Sequence, residues 1–241
     1  MSAWLASVSA WLQDLQADFI KDFIEKNRFK TYILRGLRNT LTITLLALVI
    51  GVLLGFLIAI IRSTYVKTGK LKILNVVCAV YVTVLRGVPV VVQLLIFYFI
   101  IFAKNDPGIV MTSVICFGLN SSAYVSEIVR SGIMSIDNGQ FEAGRSLGFN
   151  YVQTMWYIVL PQAMKNVLPA LGNEFIALLK ETSIAGYIGV TDLTKGADII
   201  RSQTFDALLP LFVIAAIYLV LVMVLTKLVG IMERRLRNSD H

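Results

Sequence analysis

The sequence predicts an all-α integral membrane protein with about five transmembrane helices. Of its 241 residues, 57% are hydrophobic and only 15% are charged, and the mean hydropathy is +0.75, which lies outside the usual range of soluble proteins. Residues 41–61 and 207–226 each run for about 20 residues without a charged side chain, the length that a helix needs to cross a hydrocarbon core of about 30 Å. A polar loop at residues 137–161 interrupts the apolar pattern.

The first 35 residues are predicted to form a separate amphipathic segment. Apolar side chains recur in it at helical spacing, at Trp4, Val8, Trp11, Leu15 and Phe19. Aspartates lie elsewhere on the same helical wheel, at Asp14, Asp18 and Asp22. Because tryptophan favours membrane interfaces, we expect this helix to lie along the outer membrane surface. A cleaved signal peptide is not expected, since a basic start and an unbroken apolar core are lacking.

Three further spans follow between the two uncharged runs. Residues 73–102 would extend for about 45 Å as a helix, and we expect a single tilted helix that bends at Gly87 and Pro89. Residues 109–126 form another apolar run. Residues 163–187 are harder to assign, because charged side chains interrupt them at Lys165, Glu174, Lys180 and Glu181.

The 137–161 loop has the signals of two short helices. Asp137 with Gln140, and Asn150 with Gln153, have the spacing of helix-start capping boxes. Gly148 lies between them and can end the first helix in a left-handed conformation. Pro161 suits the first turn of a following helix. A carboxylate at Glu142 next to the small Ala143 and Gly144 would let a partner's surface approach the backbone closely.

The loop resembles the EAA loop of the membrane-spanning subunits, or permeases, of bacterial ABC importers. Glu142-Ala143-Gly144 is followed at the family's spacing by Gly148, Ile158 and Leu160-Pro161. Gly144 stands where the family usually has alanine. The resemblance implies an ABC importer type I permease fold, a span after Pro161, and docking of partner ATPase subunits through Glu142, Ala143, Gly144, Gly148 and Pro161. We therefore expect a permease domain at residues 36–235.

Other segments resemble the polar amino acid subfamily of these permeases. They are residues 36–44, 81–99, 119–133 and 178–190, with Val88 where the family usually has threonine. The resemblance implies two ATPase subunits, a second permease subunit that is identical or homologous, and an external amino-acid-binding protein. ATP and Mg²⁺ would be bound in the partner ATPase, and we expect no cofactor on this chain.

Orientation follows from placing this loop inside a bacterial cytoplasmic (inner) membrane. Most basic residues near the span ends then lie in the cytoplasm, as the positive-inside rule expects, although those in residues 21–38 would lie outside. Five spans put the N-terminus outside and the C-terminus in the cytoplasm. The net charge of +7 then indicates topology and contact with anionic lipid; nucleic acid is not an expected partner.

Polar residues inside the spans are candidates for a substrate path, because an ionisable group in a membrane must face protein or water. The candidates are Arg86, Asn120, Ser121, Glu174, Lys180 and Glu181. Each also has a structural explanation. Arg86 could pair with Glu127 or Glu174, small polar residues such as Ser121 often serve helix packing, and Glu127 with Arg130 has the spacing of a local ion pair.

The sequence excludes several kinds of chemistry and leaves some alternatives open. It has no phosphate-binding GxxxxGK[ST] loop, so ATP hydrolysis would require another chain. No His, Cys and carboxylate cluster has metal-ligand spacing. An ion-coupled secondary transporter could use the same charges but usually has more spans and internal repeats. A channel would not need the 137–161 loop, and a permease for another small solute remains open.

Overall fold

The computed structural model describes residues 19–237 and, before them, residues 4, 8, 10, 11, 13, 16 and 17. The regular structure of these residues is helical, which confirms the predicted all-α class. The helices are α1 (Arg35–Thr68), α2 (Lys72–Gly87), α3 (Val90–Ile96), α4 (Ile109–Met134), α5 (Asn138–Ser146), α6 (Tyr151–Thr154), α7 (Leu160–Glu181), α8 (Leu193–Thr204) and α9 (Leu208–Arg237). Short π-helical stretches are Ile20–Glu25, Phe29–Leu34, Phe97–Ile101 and Met155–Val159, and a 3-10 helix spans Thr182–Ile188.

Helices α1 and α4 form the centre of the fold because small residues let their backbones approach closely. On its face toward α4, α1 has a small buried residue at every fourth position, Ala47, Gly51, Gly55 and Ala59. A Cβ atom on Gly55 would lie 2.6 Å from Cγ1 of Val125, so only glycine fits there. This small-residue packing is the usual basis of helix association within membranes.

The chain between α2 and α3 makes a sharp corner. The two helices are bent by 105° at Val88 and Pro89, so the predicted bend after Gly87 is confirmed, but two separate helices at this angle take the place of the single tilted helix. Val88 is extended, and Pro89 has no N–H with which to continue the helix. The amide of Gln93 donates to the carbonyl oxygens of Leu85 and Val88, at 2.8 Å each, and thereby satisfies groups that the corner frees.

Three helices among the described residues are long and apolar enough to cross a membrane, and a fourth if α2 and α3 count as one broken span. The three are Phe29–Thr68, Ile109–Met134 and Leu208–Leu236, which confirms the spans predicted at 41–61, 109–126 and 207–226. Helix α7 forms as predicted but is not among them, because charged and amide side chains interrupt its apolar surface. A span at residues 163–187 therefore remains a prediction.

The end of the N-terminal segment packs into the fold at the end opposite the 137–161 loop. Phe23 and Ile33 are fully buried and share a cluster with Leu193 of α8 and Leu209 of α9. Trp4 and Trp11 of the predicted amphipathic stripe are exposed, whereas Asp14, Leu15 and Asp18 lie outside the described residues. The helix Phe29–Thr68 is continuous through residue 35, the predicted boundary of this segment.

Candidate functional site

The 137–161 loop forms two short helices that meet at Gly148, as predicted. Gly148 has φ +80, and the backbone bonds from Gly148 to Arg145 and from Phe149 to Gly144 complete a Schellman ending of α5. Asn150 and Gln153 form the predicted capping box at α6. Asp137 also caps α5, but its side chain accepts from the N–H of Gly139, and the reciprocal bond of a capping box, from the Asp137 N–H to the Gln140 side chain, is not formed. Gln140 accepts a bond from Gln162 instead.

The second short helix, α6, continues without a break into α7, the helix that contains Pro161. Residues 151–181 form one uninterrupted helical stretch, from α6 through the π-helical turn Met155–Val159 into α7. Leu160 donates its N–H to Met155, five residues back, and Pro161 follows without an N–H of its own. The π-turn therefore shifts the backbone hydrogen bonds from four to five residues back just before Pro161, which has no N–H to donate. Pro161 is the second residue of α7, so its predicted place in the first turn of a helix is confirmed, although the π-turn runs into that helix without a break.

The three residues of the Glu142 motif point in different directions. Glu142 and Ala143 are exposed, whereas Gly144 is buried. A Cβ atom on Gly144 would lie 2.6 Å from both Oγ1 and Cγ2 of Thr154. Gly144 therefore allows α5 to pack on α6 within this chain, and the expected close approach of a partner's surface at Gly144 is wrong. Glu142 and Ala143 remain available to a partner.

The loop is fixed to the end of α1. The Lys67 ammonium lies 2.6 Å from the side-chain oxygen of Asn138 and 4.5 Å from the ring centroid of Phe141. The Phe141 and Tyr151 rings stack at 6.4 Å. Between α1 and the loop lies a cavity of about 410 Å³, with Glu142 and Arg145 among its lining residues. One side of the loop therefore packs against α1, and the other side is exposed.

A second cavity, here called the central cleft, lies between the α2–α3 corner, α4 and α7. It has a volume of about 480 Å³, and its lining residues include Arg86, Tyr124, Glu127, Ser131, Asn166 and Glu174. On α7, Asn166 and Glu174 are eight residues apart, about 12 Å along a helix. Ser135 and Asn166, which bond to each other at 3.1 Å, line the end nearest the 137–161 loop.

Arg86 and Glu174 bring opposite charges to the central cleft. The Arg86 guanidinium lies 5.1 Å from the Tyr124 ring centroid, which is a favourable cation–π distance. Among the described residues Arg86 has no ion-pair partner within 4 Å, so the alternative of a pair with Glu127 or Glu174 is not formed. The Ser121 hydroxyl donates to the Glu174 carboxylate at 2.8 Å. Ser121 does not line the cleft itself, and its bond holds the Glu174 carboxylate in position.

The charge of Glu127 is compensated within the chain. Arg62 of α1 and Arg130 of α4 both pair with its carboxylate, Arg130 at 2.7 Å. The predicted pair with Arg130 is confirmed, and the contribution of Arg62 was not predicted because the two residues are far apart in sequence. This cluster joins α1 to α4 beside the cleft.

The remaining predicted path residues lie elsewhere. Asn120 is buried and donates to the Leu85 carbonyl oxygen at 3.0 Å and to the Gln93 side-chain oxygen at 3.2 Å, so it supports the α2–α3 corner. Lys180 lines a separate cavity of about 330 Å³ toward α9, and Glu181 is half-buried next to it in sequence. Gln93, Tyr124 and Asn166 were not predicted as site residues. Gln93 could have been identified from the sequence, because an amide side chain within an apolar run needs a hydrogen-bond partner inside the protein.

Comparison with known proteins is consistent with this arrangement. Residues 51–238 match the family described as binding-protein-dependent transport system inner membrane component. A putative glutamine transport system permease of Rickettsia typhi is 38% identical over 209 residues, which cover 85% of this chain and 93% of the relative. An arginine transport system permease of Bacillus subtilis is 38% identical over 87% of this chain and 94% of its own length.

Solved structures with the same fold include two ABC transporters. An amino acid ABC transporter crystallised with histidines has 44% sequence identity and a TM-score of 0.80, with coverage of 88% of this chain and 98% of that chain. A methionine ABC transporter in an inward-facing conformation has a TM-score of 0.74 at 17% identity and covers 86% of this chain and 97% of that chain. At that identity the second comparison concerns the fold alone.

Proposed function

Because the chain belongs to the family of binding-protein-dependent transport system inner membrane components, we propose that it forms the translocation path of an ATP-driven importer for a polar amino acid. The observation that carries the proposal is the central cleft, in which an unpaired guanidinium and a carboxylate line one cavity. Such a pair matches the carboxylate and ammonium groups of a zwitterion. The names of the relatives, which include glutamine, arginine and cystine permeases, agree with this substrate class.

In this proposal the residues around the cleft have distinct roles. Arg86 and Glu174 face the substrate, and Ser121 holds the Glu174 carboxylate in place through its 2.8 Å bond. Asn120 maintains the α2–α3 corner that carries Arg86. Lys180 and Glu181 lie farther along α7, where a substrate would enter from an external binding protein. Tyr124 supports Arg86 through its ring.

Coupling to ATP would occur at the exposed side of the 137–161 loop. Two partner ATPase subunits, which bind ATP and Mg²⁺, would dock on Glu142 and Ala143 of this chain and of a second permease subunit. The continuous helical stretch from Tyr151 to Glu181 links this surface to Glu174. A displacement of the loop therefore moves one wall of the cleft as a rigid body. Gly144, Gly148 and Pro161 maintain the geometry of this connection.

The proposed orientation places the loop in the cytoplasm of a bacterial cell. Helix α7 then forms a fifth span, with its polar face toward the cleft and a second permease subunit. The N-terminus lies outside and the C-terminus in the cytoplasm. The chain itself is a non-enzymatic membrane subunit, and an external amino-acid-binding protein delivers the substrate to the face that carries α8.

Reconstituted uptake tests the proposal. The chain, its ATPase and its binding protein are placed in proteoliposomes, and accumulation of radiolabelled polar amino acids is followed with and without ATP and a protonophore. We expect ATP-dependent uptake that the protonophore does not affect. Uptake that the protonophore abolishes in the presence of ATP would instead support an ion-coupled carrier.

Charge reversal at Glu142 and a β-branched residue at Gly148 test the docking surface. Glu142→Lys would repel a basic partner group, and Gly148→Val would disfavour the positive φ at the end of α5. We expect either change to reduce ATP-dependent uptake at least tenfold, with normal membrane insertion. Lys104→Glu and Gly230→Val are matched controls, because Lys104 is exposed outside the loop and a Cβ on Gly230 meets no atom within 4 Å. Wild-type uptake by both loop variants would contradict the docking role.

A further inference from the structure

The cavity between α1 and the 137–161 loop, here called the loop cavity, is lined by three charged side chains: Lys67 from the last turn of α1, and Glu142 and Arg145 from α5. None of the three forms an ion pair within the described part of the chain. Asn138, Glu142 and Arg145 are four and three residues apart, so they share one face of α5. The loop cavity therefore combines two cations with one carboxylate.

Lys67 is held in place at the wall of the loop cavity. Its ammonium lies 2.6 Å from Oδ1 of Asn138 and 4.5 Å from the Phe141 ring centroid, and the residue is half-buried. The bond to Asn138 uses one of the three ammonium N–H groups, and the other two remain free. A side chain that is already ordered loses less entropy when it binds an anion. Lys67 is therefore positioned to bind one.

The hydroxyl groups around the loop cavity are not free donors. Thr68 donates to the carbonyl oxygen of Thr64 at 2.7 Å, and the Tyr151 hydroxyl donates to Oγ1 of Thr64 at 3.5 Å. Thr154 also lines the cavity, but its Oγ1 is buried. An anion in this cavity would therefore bind chiefly to cationic groups.

Arg145 supplies the second cation. It is exposed, and its guanidinium forms no hydrogen bond or ion pair with the described residues. Glu142 is the charged acceptor of the loop cavity, and the proposed docking already assigns it to a basic group of the partner. Lys67 and Arg145 then remain without a counter-charge. Because guanidinium and ammonium groups bind carboxylates through charge-assisted hydrogen bonds, the complement of these two cations is an acidic side chain.

We propose that the loop cavity binds an Asp or Glu side chain of the partner ATPase, held jointly by Lys67 and Arg145. The proposal rests on the proposed docking of an ATPase at the loop, and it extends that surface from α5 to the end of α1. Since α1 packs closely against α4, the bound carboxylate would connect the loop and the α1–α4 pair while the ATPase is docked. It also fixes the orientation of the ATPase, whose acidic group faces α1 and whose basic group faces Glu142.

Zero-length crosslinking of the purified permease–ATPase complex tests this contact. A carbodiimide joins a lysine amine to a carboxylate when the two are in direct contact, and mass spectrometry of the peptides identifies the joined residues. We expect Lys67 to be joined to an Asp or Glu of the ATPase, and position 145 of the Arg145→Lys variant to be joined to the same residue. Lys70 is the internal control, because it is exposed nearby but does not line the loop cavity. Absence of either crosslink, or an equal yield at Lys70, would overturn the proposal.

Arg145→Gln tests the contribution of the site to affinity with little risk to the fold, because the Arg145 side chain has no bond to lose. We expect the affinity of the chain in lipid nanodiscs for the purified ATPase to fall on the order of tenfold, with a weaker dependence on salt than in the wild type. Lys67→Met should show a similar loss. Lys70→Gln is the matched control and should bind the ATPase like the wild type.

Glu142→Lys in the same assay separates this proposal from the docking function on which it rests. If Glu142→Lys weakens ATPase binding while Arg145→Gln and Lys67→Met bind normally, the loop is a docking surface but the carboxylate site is wrong. If all three variants bind normally, docking at the loop is wrong as well. A loss in all three, with normal binding by Lys70→Gln, supports both.

Discussion

At the scale of the residue, Gly144 allows the docking helix α5 to pack closely against α6. The permease family that the loop resembles usually has alanine at this position, but here a Cβ atom would lie 2.6 Å from two side-chain atoms of Thr154. Thr154 is also buried with an Oγ1 that has no hydrogen-bond partner. The absence of a side chain at Gly144 therefore makes room for the side chain of Thr154 on α6.

Gly144→Ala should destabilise the contact between α5 and α6, because overpacking of a tight contact costs roughly 1–3 kcal/mol. Thr154→Ala removes both clashing atoms and an unpaired buried hydroxyl, so the double variant Gly144→Ala/Thr154→Ala should recover wild-type stability. Thermal unfolding of the purified chain measures both effects, and ATP-dependent uptake reports whether the docking surface is restored. A double variant as unstable as Gly144→Ala alone would show that Thr154 does not set the requirement for glycine.

Asp192 is a buried carboxylate that fixes the start of α8. Its side chain accepts bonds from the N–H groups of Thr194 and Lys195, and the chain around it is anchored to α1 through the Asn39 amide and the Thr40 hydroxyl. Burial raises the pKa of the Asp192 carboxyl from its ordinary value of 3.8 to about 6, against the opposing effect of its backbone hydrogen bonds. The folded chain therefore binds this proton more tightly than the unfolded chain does.

The stability contribution of Asp192 is consequently greatest below about pH 4 and is lost as the pH rises through about 6. A shift of this size corresponds to roughly 3 kcal/mol between those limits. Asn at position 192 keeps the cap and does not titrate, so the melting temperature of Asp192→Asn relative to wild type should rise between pH 4.5 and pH 7.5. Asp198→Asn is the control, because Lys195 and Arg201 lower the pKa of Asp198 below its ordinary 3.8, so its melting temperature relative to wild type should stay constant over this pH range. A flat difference for Asp192→Asn would contradict the buried titration.

At the scale of the element, the α2–α3 corner depends on amide side chains from two helices. Gln93 and Asn120 both donate to the Leu85 carbonyl oxygen, and Gln93 alone donates to that of Val88. The sequence shows the break at Gly87 and Pro89 but not its angle. The angle depends on Asn120, which is 27 residues from Gln93, and a contact at that separation has no local signature.

Gln93→Leu should therefore leave the Val88 carbonyl oxygen without a donor, while Leu85 keeps its bond from Asn120. An unsatisfied buried acceptor costs about 1–3 kcal/mol, and the loosened corner would misplace Arg86, so we expect lower stability and slower uptake together. Val92→Leu, a change at an exposed neighbouring position, is the matched control. Normal uptake by Gln93→Leu at unchanged melting temperature would show that Gln93 does not maintain the corner.

The helical stretch 151–181 illustrates a second limit of local patterns. Asn150 and Gln153 predict its start correctly, because a capping box depends only on residues three apart. Pro161 correctly indicates the first turn of α7, but it does not show that the π-turn Met155–Val159 joins α7 to α6 without a break. The consequence is functional, since one continuous stretch connects the docking surface to the cleft.

At the scale of the whole molecule, the central cleft combines side chains that the sequence separates widely. Arg86 and Glu174 could be proposed from sequence because ionisable groups within apolar segments are rare. Ser121 and Asn120 were predicted as candidates for the same substrate path, but Ser121 bonds to Glu174 outside the cavity and Asn120 bonds to the α2–α3 corner. The sequence thus identifies which residues are unusual, and only the packing of α2, α4 and α7 shows which of them share a cavity.

The most direct test of the central claim is substrate-protected labelling of the cleft in the reconstituted complex. Single cysteines replace Arg86, Glu174, Leu46 or Leu219 in a Cys78→Ala/Cys116→Ala background, and a membrane-impermeant thiol reagent is applied in resting and ATP-trapped states. We expect positions 86 and 174 to react in at least one state and transported amino acid to slow that reaction. Positions 46 and 219, which lie on exposed apolar surfaces of α1 and α9, should remain unreactive. Inertness at both 86 and 174 in every state would contradict a substrate route through the central cleft.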